Sequence, residues 1–245
     1  MSATAPAHVV ESARAGWDAW RASRLTSLTA PTGNLALVET RWSAPGEEAP
    51  AEDTAEDTPT GRPDGVTVTR LERRDLVTGQ VQHGIRQWDA ASPAIRHFTT
   101  VDAFPFDPRW VTEAVFTPVS ESRVFPFEHI RDGGATRDLV VPGDLAVSLG
   151  GVSYTLSAFD DGGSLLLVFA DPTNGVTTYG AGRFLLVRRP AGEERVVLDF
   201  NRAFVPPCGF SVHYNCPLPP PQNRLHVPVE AGEKLPVFRD GYQVH

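Results

Sequence analysis

The sequence predicts a mainly β protein: an antiparallel barrel-like or sandwich fold with one N-terminal amphipathic helix and a Pro-rich C-terminal strap. Three observations lead there. From Val66 onward, short runs of alternating apolar and polar residues recur at even spacing, each bounded by Gly, Pro, Asn or Asp. Helical periodicity occurs once, over 8–28, which argues against α/β folds. Prolines crowd the stretch 206–221, where "PLPPP" (217–221) must be extended and cannot serve as a central strand.

The elements follow in order. Val10, Ala13, Trp17, Trp20, Leu25 and Leu28 approach the three-and-four spacing of a helix stripe, so 8–28 reads as one helix with Trp17 and Trp20 as anchors against a sheet. Pro31-Thr32-Gly33-Asn34 ends it, and "LALVETRW" (35–42) reads as a strand. The stretch 43–63 holds AEDT twice and almost no large apolar residue. It reads as a disordered acidic loop, because it buries too little surface to offset its ordering entropy. Strands are then expected in "VTVTRLERRDLV", "VQHGIRQWD", "IRHFTTVDAF", "WVTEAVFTPV" and "RVFPFEHI". After residue 139 come "LVVPGDLAVSLGG", "VSYTLSAF", a turn at Asp160–Gly163, "SLLLVFAD", "VTTYGAGRFLLVRR" and "RVVLDFNRAF". "LLLVFA" is apolar on both faces and should be a central strand. The whole chain, 1–245, is expected to form a single domain, with the β region over 64–235.

Charge says less than it first suggests. The net charge is −8, but Glu47, Glu48, Glu52, Asp53, Glu56 and Asp57 supply six of the negative charges in one run, leaving −2 elsewhere. That balance argues against a nucleic-acid binder. No apolar run approaches the roughly 20 residues that span a bilayer, and no secretory pattern opens the chain, so a cytoplasmic protein with no membrane partner is expected. In that compartment Cys208 and Cys216 would be thiols. Lys234 is the sole lysine, a usage that reads as GC-rich bacterial coding bias and weakens arginine count as a signal.

The candidate site residues concentrate in three late segments. Strict alternation in "VVLDFNRAF" places Asp199 and Asn201 on one face, with Arg202 opposite in direction. In "TTYGAGRFLLV" Tyr179 and Arg183 would share a face, with Gly180 and Gly182 marking a bulge or a close approach. A buried charge must be paired, so this cluster is either an internal Asp–Arg bridge that fixes strand register or an arginine-lined pocket for a carboxylate- or phosphate-bearing metabolite. Asn223 and Arg224 end the strap, and Arg224 would reach back to Asp199. Cys208, His213 and Cys216 lack the usual zinc-knuckle spacing. A Cys/His metal site would need a further ligand from His83, His97, His129 or His226, whereas the plainer reading is two buried cysteines. No P-loop, nucleophile elbow, dinucleotide fingerprint or H-E-x-x-H occurs.

The strings "DPTNGVTTYGAGRFL", "LDFNRAF", "PPCGF", "CPLPPPQNRL" and "AGEK" together resemble a bacterial family of unknown function, DUF1684. The likeness is dense over 150–235. It implies a common fold for nearly the whole chain and supplies no reaction. The chain departs from the family pattern at Val205, where Asn is usual, at Gly209, where Ala is usual, and at His213, where an aromatic is common. The leading expectation is therefore a small-molecule-binding β-barrel whose strap, "TYGAGR" and "DFNR" converge around an anionic ligand. A Cys/His metal protein and a non-catalytic structural or interaction module are the alternatives. No cofactor, reaction or oligomeric state follows from the sequence.

Overall fold

The computed structural model of the chain describes residues 5–48, 64–190 and 192–244. It is mainly β, with 44% of residues in strands and 19% helical. The acidic loop expected over 43–63 lies, from residue 49 onward, outside the described residues. No described helix is long and apolar enough to cross a membrane.

The elements run α1 (Ala7–Leu28), β1 (Leu37–Trp42), β2 (Val66–Arg74), β3 (Val81–Asp89), α2 (Pro93–His97), β4 (Phe98–Ala103), β5 (Val111–Glu128), β6 (Thr136–Leu149), β7 (Val152–Asp161), β8 (Ser164–Phe169), β9 (Arg183–Val187), β10 (Arg195–Asp199) and β11 (Glu233–Phe238). They form a three-stranded sheet in the order β1-β3-β2, a six-stranded sheet in the order β10-β5-β6-β7-β8-β9, and a two-stranded ladder of β11 with β4. The chain divides into two compact units. The first takes Met1–Ala22, Val101–Pro206 and Cys216–Pro236, and the second takes Ser23–Thr100, Pro207–Asn215 and Val237–His245.

The first unit is built on the six-stranded sheet, which curls into a half-barrel. Its inner face follows from period-two alternation. Leu145, Val147 and Leu149 of β6 meet Leu156 of β7, Leu165 and Leu167 of β8, Leu185 and Val187 of β9, and Val196 and Leu198 of β10 in one buried cluster. The β7–β8 hairpin turns through Gly162 and Gly163, both at positive φ (60° and 92°), a conformation only glycine adopts at little cost. β8 is a central strand, as its two-faced apolarity predicts. The runs 110–119 and 123–130, which read as two strands, are one. β5 passes through an irregularity between Pro118 and Arg123, where five residues of β5 span only two of β6.

The second unit centres on β1-β3-β2 and the short helix α2. Residues 95–97, expected in a strand, belong to α2. The signal lies just upstream: the Ser92 hydroxyl caps the helix by accepting from Ile95 N–H, and Pro93 occupies the first turn. α1 has one fully buried residue, Leu28. Trp17 and Trp20 are only half-buried, so the expected anchors are not core residues. Trp17 instead donates its indole N–H to Asn201 O at 3.3 Å and meets the Phe106 ring edge-on at 6.1 Å.

Candidate functional site

Arg183 opens β9 and is fully buried, as is the Asp171 side chain that it meets at 2.8 Å through Nη2. Its two terminal nitrogens also donate to the carbonyls of Ala231 and Val229, and its guanidinium lies 5.3 Å above the Phe169 ring. Burial works against the positive charge; the carboxylates of Asp171 and Glu233 favour it. The Asp171 carboxylate in turn receives Thr173 N–H, the Thr173 hydroxyl and Val229 N–H. The internal bridge expected of Arg183 is present, but its partner is Asp171 rather than Asp199. Tyr179 does not share a strand face with Arg183. Residues 176–182 are a loop, and Gly182 at φ 95° separates it from β9. A Cβ on Gly182 would lie 2.5 Å from Pro219 Cγ and 2.7 Å from Phe169 O, so the close approach read from the glycine is made by the strap.

Asp199, Asn201 and Arg202 do come together, though by a turn rather than by strand alternation. β10 ends at Asp199, whose Oδ1 accepts Asn201 N–H (3.2 Å) and Nδ2 (2.9 Å) as the chain enters a 3₁₀ turn over Phe200–Arg202. The turn swings Arg202 back, so that its Nε lies 3.3 Å from Asp199 Oδ2. Strand alternation alone would point Arg202 the opposite way; the break in strand geometry reverses it. Asn201 is buried and exchanges hydrogen bonds with the backbone of Asp107, its Oδ1 accepting from Asp107 N and its Nδ2 donating to Asp107 O. Burial pushes the Asp199 carboxyl above its ordinary value, against the hydrogen bonds from Asn201 and the charge of Arg202.

Of the strap expected over 205–225, Pro207–Asn215 belongs to the second unit, and the part from Cys216 on is held by its few non-prolines. Ile130 N–H donates to Cys216 O, and Leu218 N–H donates to Glu128 O at 2.7 Å, which ties the strap to the end of β5. Asn223 is fully buried and stands in for a stretch of strand. Its Oδ1 accepts Ser157 N–H, and its Nδ2 donates to the carbonyls of Ser157 and Val168, each at 2.8 Å. β7 and β8 pair only over Phe159–Asp161, and Asn223 fills the splay below. The Arg224 side chain is exposed, and its expected reach to Asp199 is not made: Asp199 pairs with Asn201 and Arg202. Lys234 Nζ lies 3.3 Å from Asp102 and 4.8 Å from the Phe104 ring centre.

Cys208 and His213 belong to the second unit. Neither cysteine is in a disulfide; Cys216 is buried and Cys208 half-buried. Among the described residues no group of three or more His, Cys, Asp or Glu side chains is arranged to hold a metal ion, so the Cys/His metal reading finds no support. His213 does line a cavity of about 460 Å³ that lies wholly within the second unit. Its walls come from β1 and the turn before it (Leu35, Leu37, Val38), from the start of α2 (Ser92, Pro93, Ala94), from Phe210–His213, and from Tyr242 and Val244. Two of its hydroxyls are committed to the scaffold: Ser92 donates to Leu35 O at 2.6 Å and Ser211 to Leu37 O at 2.8 Å. Thr40 fixes the far side of the His213 backbone by donating to its carbonyl. Among the described residues the walls carry no arginine or lysine.

A model of the family described as "Protein of unknown function (DUF1684)" matches residues 96–234. The chain belongs to that family. The matched region runs from the end of α2 to Lys234, so it takes in Tyr179, Arg183, Asp199, Asn201, Arg202, Cys208, His213, Asn223 and Arg224. Nothing among curated proteins matches the chain. It is similar to an uncharacterized protein of Haloarcula marismortui known from a solution NMR structure, at 31% identity over 56% of this chain and 77% of that one, with a TM-score of 0.47.

Sequence reasoning missed Asp171, Ser92, Ser211 and Tyr242. Asp171 carries a readable signal, since Asp-Pro-Thr at a strand end is an Asx-turn pattern in which the carboxylate accepts the N–H two residues on. Tyr242 carries none; only the folded chain brings it to the cavity.

Proposed function

We propose that this DUF1684 protein binds a small molecule with a mainly apolar body and one polar end, in the cavity of its second unit, with His213 at the polar end. The observation that carries the reading is the cavity itself. About 460 Å³ is within the range of small-ligand sites, and a mostly apolar wall with a few placed polar groups is their usual make-up. The ligand differs from the one the arginines suggest. Arg183 is occupied by Asp171 and two carbonyls, so an anion has no guanidinium fork to meet there. For the half-barrel a second reading is favoured by that same bridge: its polar residues are supports of the fold.

Thermal-shift measurements with a panel of amphipathic metabolites test the reading against the variant Val38→Trp, which places an indole in the cavity from a half-buried wall position. A ligand that binds only the native state stabilises it by about 2.7 kcal/mol at one hundred times its dissociation constant. A hit that shifts the wild type and not Val38→Trp is expected. A panel that shifts neither, or shifts both equally, contradicts the reading.

A further inference from the structure

The cavity's walls are of two kinds. Leu35, Leu37, Ser92, Ala94, Phe210 and Ser211 are buried parts of the scaffold, while Val38, Val212 and His213 are half-buried and Pro93 is exposed. Tyr242 and Val244 belong to a segment, 239–244, in which no residue is fully buried and Arg239, Asp240, Gly241 and Gln243 are exposed. This segment reaches the cavity by folding back on itself. Asp240 and Gly241 both have positive φ, 58° and 68°, and Tyr242 N–H closes the turn onto Arg239 O at 3.2 Å. Asp240 is the one described non-glycine residue at positive φ, a position that aspartate tolerates better than most residues.

The contacts that hold the fold-back lie mostly at the last two residues of α2. Arg239 N–H donates to His97 O at 2.9 Å, and the Arg239 guanidinium donates to Arg96 O. The His97 ring stacks on Tyr242 with centroids 5.1 Å apart and planes 3° from parallel. His97 Nδ1 faces Asp240 Oδ2 at 3.3 Å, and Phe238 packs against Tyr242 at 5.3 Å. His97 itself does not line the cavity.

We infer that residues 239–244 are a lid over the cavity, hinged at Asp240-Gly241 and latched by His97. A segment with little buried surface and mostly exposed backbone opens at a fraction of the global unfolding free energy, which is where access gates are found. The inference rests on the reading that the cavity takes a ligand, so its test is built to fail separately from that reading.

The test uses the full chain, with His97→Ala as the latch variant and Asp240→Asn, an exposed position, as a second variant with little risk to folding. Stopped-flow binding of 1-anilinonaphthalene-8-sulfonate is compared among them, with Val38→Trp marking probe bound in the cavity. Because His97 touches the lid and not the ligand, His97→Ala is expected to raise both association and dissociation rates by roughly fivefold to tenfold, the size set by one stacked ring pair, with little change in affinity. Asp240→Asn should move both rates the same way by about twofold. Probe that binds the cavity with unaltered rates in both variants overturns the lid and leaves the binding proposal intact. If the probe does not enter the wild type, hydrogen exchange decides. A lid requires the amides of 35–38, Ser92, Ala94 and Ile95 to exchange roughly fivefold to tenfold faster in His97→Ala; equal exchange overturns it.

Discussion

Arg183 shows how a residue with the chemistry of an anion-binding group becomes a structural one. A guanidinium taken fully out of water is tolerated only where carboxylate and carbonyl oxygens surround it, and here Asp171, Val229 and Ala231 do so. Replacing Arg183 with Met strands the Asp171 charge in a dry site and should cost about 3–5 kcal/mol of stability, read by urea unfolding. A loss under about 1 kcal/mol would mean that the bridge is incidental. Asp199 allows a pH test. Its carboxyl is held above the ordinary 3.8, chiefly by burial, so the folded state binds this proton more tightly than the unfolded chain does. Its contribution to stability is therefore fully present below 3.8 and is lost as pH rises through the folded value. Asp199→Asn keeps an oxygen for Asn201, so its melting temperature relative to wild type should rise between about pH 3 and about pH 7. A relative fall would show that attraction to Arg202 outweighs burial. The choice of polar residues is legible in the sequence: Arg183, Asp199, Asn201 and Asn223 are all tied into the fold. Their partners are hidden, because pairing in space depends on where a strand stops, and both relevant strands stop within one residue of the charge.

Among the elements, those with alternation over five or more residues are legible from the sequence, as in β6 and β7, and β8 is legible from its run of apolar residues on both faces. Legibility fails where a local turn overrides the pattern: at 95–97, at 176–182 and at 200–202. In each case a capping side chain or a glycine at positive φ is present in the sequence but carries less weight than the apolar run beside it. The strap is recognisable as extended from its prolines, whereas its attachment through Asn223 is not. That attachment gives a prediction of its own. Asn223→Ala leaves a buried N–H of Ser157 and two buried carbonyls without their partner, which should cost about 3 kcal/mol and raise hydrogen exchange at Ser157 first. Unchanged exchange at Ser157 would mean that water replaces the side chain and that the splay between β7 and β8 needs no filler.

At the scale of the molecule, the two compact units differ in how they use polar groups. The half-barrel ties its buried polar residues into internal bridges: Arg183 with Asp171, Asn201 with Asp107, and Asn223 with Ser157 and Val168. In the second unit two serines of the cavity wall, Ser92 and Ser211, are bonded to backbone carbonyls of the same wall. The division is invisible in the sequence, because Pro207–Asn215 lies within the Pro-rich stretch yet packs with residues 23–100. It places His213 at a cavity of the second unit and Arg183 in a buried bridge of the first. The most direct test is a ¹H–¹⁵N NMR titration of the full chain with any small molecule that stabilises it. The account predicts shifts confined to the amides of 35–38, Ser92, Ala94, 210–213 and 242–244. Shifts centred instead on Arg183, Asp199–Arg202 and Arg224 would contradict it and restore the arginine-lined site.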